Sequence, residues 1–272
     1  MNLHKLLLTN NNCYKTGKTI VPKGIMVHST GANNPNLRRY VGPDDGFLGT
    51  ASSSYWNTAK PGGKEVCVHA FIGKLKDGTI ATYQTLPWDM RGWHGGGSSN
   101  NTLIGFEICE DGLSDPAYFS AVYKEAVELC VYLCKQYGLT EKDIICHCEG
   151  YELGIASNHA DVMHWFPKHG KSMDTFRADV KAALASEMAT TVSGSAIAVA
   201  AFTPYRVRVD IANLNIRKGP GSNYGKTGKF TGKGTFSIVE ENAGPGGTKW
   251  GLLKAYHAGR NGWISLDYAV KL

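Results

Sequence analysis

Eight of the nine histidines in this 272-residue chain fall before residue 170, and several stand where an apolar run ends. His28 closes the run Gly24-Ile25-Met26-Val27, His69 sits in Cys67-Val68-His69-Ala70-Phe71-Ile72-Gly73, and His147 follows Asp143-Ile144-Ile145-Cys146. Glu107 lies inside the apolar stretch Thr102–Cys109, and Asn158-His159-Ala160-Asp161 adds another imidazole and another carboxylate. Neutral imidazoles and carboxylates are what a hydrolytic metal site needs: ligands, an open position for water, and a nearby acid–base group. A single strand-end histidine is more often just a hydrogen-bonded polar group. Several make a site only if the fold brings them together, and spacing along the chain does not show that.

The elements that must position these groups can be read from periodicity and turn chemistry. Gly24–Ser29 and Cys67–Gly73 read as buried strands, and the Asp77-Gly78 turn predicts that the second forms a hairpin with Ile80–Gln84. Thr102–Cys109 is a further strand, and Asp143–Cys146 a short one delivering His147. A helix is predicted from Pro116 to Tyr137, capped by Ser114 or Asp115, with proline in its first turn and Gly138 ending it. Its stripe of Val122, Ala126, Leu129, Cys130, Leu133 and Tyr137 would pack on a sheet. Ser172–Leu184 reads as a closing helix, so the fold class is α/β, a mixed central sheet flanked by helices.

Residues 186–203 are rich in small residues and poor in charge, and read as a linker between a first domain, 1–185, and a second, 204–272. The second shows short alternating runs broken by glycine and proline, at Tyr205–Val209, Leu214–Arg217, Phe236–Glu240, Trp250–Leu253 and Gly262–Ile264, which predicts a small all-β barrel. From Tyr205 onward the chain has 11 Lys and Arg against 4 Asp and Glu, whereas residues 1–204 have 18 against 19. A basic small domain suits nucleic acid or a polyanionic surface such as a bacterial wall, and charge does not choose between them. No apolar stretch approaches the roughly 18–20 residues of a membrane span. The opening residues hold only a three-leucine run, short of the about 7–15 apolar residues of a secretory signal. The seven cysteines are odd in number and all precede residue 149, so they read as reduced thiols of a protein made in the cytoplasm.

Val27-His28-Ser29-Thr30, then Val68–Gly73 with Asp77–Ile80, then Gly92-Trp93-His94-Gly95-Gly96, resemble the opening of the type 2 N-acetylmuramoyl-L-alanine amidases, relatives of peptidoglycan recognition proteins. Asn100–Glu107 and Cys146-His147 continue the resemblance, which runs over roughly residues 20–180. It implies zinc (Zn2+) bound by His28 and His147, with Glu107 as general base toward the attacking water. At the late motif the sequence departs from the family, because Asn158–Phe166 has no Pro-Gly and follows His147 at a longer gap. By alignment of roles Asp161 is the third ligand and His159 holds the oxyanion of the tetrahedral intermediate, with His159 and His164 the rival ligands. A structural zinc site using Cys146, His147, Cys148 and His159 is the competing metal reading. His69, Trp93 and His94 are candidates to line the substrate cleft, although a core tryptophan beside a turn is nearly as good a reading of Trp93.

In the tail, Leu214–Tyr224, Trp250–Leu253 and Gly262-Trp263-Ile264 resemble bacterial SH3 (SH3b) domains, which bind cell-wall peptidoglycan or its crossbridges. Tyr224, Trp250 and Trp263 are the candidate binding face. The expected partner is bacterial peptidoglycan, of a Gram-positive wall, with neither nucleic acid nor membrane. A catalytic head, a wall-binding tail and no export signal together resemble a phage endolysin, made in the host cytoplasm and acting at the wall after release. A bacterial autolysin of the same chemistry and a non-catalytic peptidoglycan-binding protein are the alternatives.

Overall fold

Apolar runs ending in polar side chains build the first sheet. In the computed structural model, which describes residues 1–193, 204–222, 224–244, 247–253 and 262–272, six strands make it: β1 (Leu3–Lys5), β2 (Gly24–Asn33), β3 (Ala70–Lys74), β4 (Ile80–Gln84), β5 (Leu103–Glu110) and β6 (Ile144–Cys146). Their spatial order is β1-β4-β3-β5-β2-β6. β3 and β4 form the antiparallel hairpin that Asp77-Gly78 predicts, while β3, β5, β2 and β6 run parallel to one another. The register sets His28 opposite Glu107 and Val27 opposite Cys146, so His28, Glu107 and His147 gather toward the carboxyl ends of three neighbouring parallel strands. Open parallel sheets bind ligands at that edge.

Four helices accompany this sheet: α1 (Asn12–Thr16), α2 (Pro116–Tyr137), α3 (His147–Glu152) and α4 (Met173–Ser193). Asp115 caps α2 by accepting from the Ala117 and Tyr118 amides, and Gly138 ends it in the left-handed conformation. Its buried stripe packs into one core with Ile25, Ile104 and Phe106 of the sheet and Phe176 and Val180 of α4. Burying a side chain of this size stabilises by about 1.5–3 kcal/mol, so the core fixes the sheet register on which the site depends.

Two sequence expectations are corrected. Helix α4 continues to Ser193 instead of ending near Leu184, so the proposed linker is helical over its first part. Glu187-Met188-Ala189 are good helix formers, which carries the helix past Leu184. Residues 194–203 lie outside the described residues. Nor are all cysteines reduced, because Cys13 and Cys67 form a disulfide across 54 residues of sequence. The other five are free thiols, with the Sγ atoms of Cys146 and Cys148 3.0 Å apart. Only the packing of α1 against the segment before β3 brings Cys13 and Cys67 together.

The chain divides into units Met1–Met188 and Ala189–Leu272. The second is a seven-stranded sheet of β7 (Tyr205–Val209), β8 (Asn215–Arg217), β9 (Lys226–Phe230), β10 (Gly234–Ala243), β11 (Lys249–Leu253), β12 (Gly262–Ser265) and β13 (Val270–Lys271). It runs in the order β13-β7-β10-β11-β12-β8-β9, every pair antiparallel, around a core that includes Val207, Ile216, Ile238 and Ile264. The sequence foreshadows five of these strands. β9 lacks the alternation that marks a half-buried strand, since its side chains are almost all exposed.

Candidate active site

His28, His147 and Asp161 meet at the carboxyl edge of the first sheet, and their ligand atoms all lie within 4.8 Å of one another. His28 Nδ1 is 3.0 Å from Asp161 Oδ2 and 3.1 Å from His147 Nδ1, and His147 Nδ1 is 3.6 Å from Asp161 Oδ1. Zinc bonds of about 2.0–2.2 Å would set tetrahedral ligands about 3.3–3.6 Å apart. The three side chains are therefore near enough to one another to share such an ion.

The surrounding hydrogen bonds orient the rings. His94 Nε2 donates to the Leu103 carbonyl at 3.2 Å, which leaves His94 Nδ1 to accept from His28 Nε2 at 3.0 Å. His28 Nδ1 is left facing Asp161 and His147. The opposite tautomers would set the His94 lone pair against the Leu103 oxygen. A cationic His94 is disfavoured too, since burial, reinforced by His28 and His69, holds its pKa well below the ordinary value. Ser157 donates to the Gly95 carbonyl at 3.3 Å and lies 3.2 Å from His147 Nε2, which orients the His147 ring toward His28 and Asp161. Burial pushes the Asp161 carboxyl up, but the facing His147 and His28 rings outweigh it and hold it ionised. Two imidazoles and a carboxylate thus converge as a group that could hold a metal ion.

Glu107, paired in register with His28, is half-buried, but its Oε2 is closed off from solvent and has no hydrogen-bond partner among the described residues. Burial, aided by the charges of Asp161 and Glu110, raises its pKa well above the ordinary carboxylate value. His159 is exposed and stacks on His147 with ring centroids 4.6 Å apart. Both line a cleft of about 830 Å³ together with the three donors, Trp93 and Lys64. His164 also borders it, but its Nε2 bonds Glu110 Oε1 at 2.9 Å, and that carboxylate also holds the Gly31 amide at 3.0 Å. Cys146 and Cys148 face each other and stand outside the donor cluster, so the four-ligand Cys/His site is not formed.

His69 does not line the cleft, contrary to expectation. It is fully buried, accepting from the Gly105 amide at 3.0 Å and donating to the Met90 carbonyl at 2.7 Å, and burial lowers its pKa to about 4. His94 borders the cleft, but both its ring nitrogens are engaged by His28 and Leu103, so it buttresses a donor instead of offering itself to substrate. It can lie there only because residue 105 is glycine, where a Cβ would stand 2.4 Å from His94 Nδ1. Sequence reasoning missed two partners. Buried Asn100 holds the His94 and Gly95 amides at 2.9 and 2.8 Å, and Ser157 orients His147. Their only sequence signal is a small polar residue near a glycine-rich turn.

Among the tail candidates, Trp250 lines a hollow of about 420 Å³ with Arg217, Asp267 and Tyr268. Trp263 pairs with Leu252 on β11 and with Arg217 on β8, which puts it on the same side of the sheet as Trp250. Neither Trp263 nor Tyr224 is among the residues lining that hollow, and Tyr224 is exposed on a turn against Gly219.

The family described as N-acetylmuramoyl-L-alanine amidase matches residues 17–167. Among solved structures, the chain is similar to the Staphylococcus aureus hydrolase AmiA, determined in complex with its ligand, at 20% identity and a TM-score of 0.51, covering 69% of this chain and 84% of that one. The catalytic domain of XlyA (22% identity, TM-score 0.46, 66% and 99% covered) and PlyL (22%, 0.49, 66% and 98%) are also similar. A comparison with curated proteins gave no match. At 20% identity the likeness to AmiA speaks for the fold alone. The matched family spans more than half of the chain and contains every residue of the donor cluster, and on that ground this protein belongs to the N-acetylmuramoyl-L-alanine amidases and is a peptidoglycan amidase.

Proposed function

We propose that the enzyme is zinc-dependent, cuts the amide between N-acetylmuramic acid and L-alanine, and serves a phage as an endolysin against Gram-positive walls. The observation that carries the metal reading is the meeting of one ligand atom each from His28, His147 and Asp161 within 4.8 Å of one another, at the floor of the cleft. Two neutral imidazoles and one carboxylate suit a dication and leave a position for water. Bound there, zinc supplies Lewis acidity, drawing electron density from the scissile carbonyl and making a water acidic near neutral pH.

The chain's own groups do the rest. Glu107, its pKa raised by burial, takes the proton of the attacking water and returns it to the departing alanine amine. His159, stacked on His147 and open to the cleft, donates to the carbonyl oxygen as negative charge develops on it. Exposed Trp93 gives the substrate an apolar wall. The basic tail is assigned as an SH3b module that holds the enzyme on its substrate, with the Trp250 hollow as its contact. Synthesis in the host cytoplasm with later access to the wall fits this division of labour.

Digestion of purified walls tests the reaction. New alanine amino groups should appear without new reducing sugar ends, and a chelator should abolish the release. Reducing ends rising in proportion to lysis would overturn the reading.

A further inference from the structure

The cleft does not end at Trp93. Trp93 and Glu65 also line a second hollow of about 450 Å³, whose other walls include Lys15 and Lys18 from the α1 region and Arg91. The sequence around it is built to keep these cations together. Thr19 bridges Met90 in antiparallel fashion and the Arg91 amide donates to the Lys18 carbonyl at 2.8 Å, so Lys18 and Arg91 are cross-strand neighbours. Like charges so placed repel each other, and an anion between them would relieve the repulsion. The Cys13–Cys67 disulfide ties α1 to Cys67, whose backbone pairs with Trp93 in both directions. Arg91 is held by its Nε bond to Asn101 at 2.7 Å and lies 4.8 Å over the Trp93 ring, a preorganised guanidinium.

Glu65, the one carboxylate lining the hollow, is drawn off by Lys60 at 2.9 Å and by Asn12. Among the described residues no carboxylate lies within ion-pair distance of Lys15, Lys18 or Arg91. We propose that this trough is a subsite for a free carboxylate of the stem peptide, continuing the cleft past Trp93. The inference rests on the amidase reading, and it adds a direction. The stem carries the substrate's free carboxylates and the glycan strand is neutral there, so the stem leaves the scissile bond toward Lys15, Lys18 and Arg91, and the glycan leaves the other way.

The test is equilibrium binding of the released stem peptide, a product that cannot be cut again, to the full-length protein at low salt. The peptide is used with its carboxylates free or all converted to primary amides, against wild type and the doubly substituted Lys15→Gln, Lys18→Gln chain. Both lysines are exposed, so the fold should tolerate the change. Amidating the peptide or neutralising the lysines should each weaken binding about five- to tenfold, the scale of two exposed ion pairs, and doing both should weaken it little further. Binding indifferent to either change, or fully additive losses, would overturn the trough. Amide cleavage of walls is measured in parallel. A chain that releases stems yet binds them without regard to charge sinks this proposal alone, and a chain that binds by charge but cuts nothing sinks the amidase reading alone.

Discussion

His28 stands on β2 and His69 immediately before β3, both buried, both with pKa values lowered by burial. Their surroundings differ in kind. His69 is satisfied by backbone, one amide giving and one carbonyl taking, and nothing more is needed to keep it neutral and fixed. His28 has a donor role on only one side. Its other nitrogen faces a carboxylate and a second imidazole, a set of groups that could hold a metal ion. A buried histidine is therefore read by the protonation that its partners impose, not by its burial. The same contrast separates His94, which spends itself on His28, from His159, which is exposed to the cleft.

The largest expected effect falls on the carboxylate between these environments. Glu107→Gln should lower kcat by about 10²–10⁴, the usual range for removing a general base. It should also stabilise the metal-free chain. With a folded pKa above its ordinary value of 4.5, Glu107 favours folding fully below pH 4.5 and loses that contribution as pH rises through the folded value. Thermal unfolding should show no advantage for the variant below pH 4.5 and a growing one above it. Equal pH profiles would mean that the carboxylate is not desolvated.

Next comes the late motif. Asp161→Ala should lose zinc and activity together, while His159→Ala should keep about one zinc per chain and lose on the order of 10²–10³ in kcat. Metal analysis beside kinetics decides this. If His159→Ala sheds the metal and Asp161→Ala keeps it, the two roles are exchanged.

The smallest effects sharpen the comparison itself. His94→Ala removes the acceptor that orients His28 and should weaken zinc binding about 10–100-fold, the scale for residues that orient a ligand. His69→Ala orphans the Gly105 amide and the Met90 carbonyl, at about 1–3 kcal/mol each, and should cost stability while leaving zinc affinity unchanged. Zinc titration and chemical denaturation of both variants separate the cases. Equal loss of zinc affinity would erase the distinction drawn between the two histidines.

Much of this molecule is local and so could be read along the chain. Asp115, Pro116 and Gly138 delimit α2, since caps and a left-handed terminus act within one turn. Asp77-Gly78 sets the β3–β4 hairpin for the same reason. The order of the histidine and glutamate motifs was enough to indicate the family, because those residue types at those intervals are specific as a set. The tertiary structure decided what depends on register and on contacts between distant segments. The Cys13–Cys67 bond spans 54 residues. His69 is enclosed by the Gly105 and Met90 backbone, whereas His28 on β2 faces the donor cluster, and a shift of one residue in β2 would turn His28 to the other face of the sheet. Asp161 reaches His28 from 133 residues away. Such distances are closed by the burial of a shared core, a property of all the segments together that no single stretch of sequence contains.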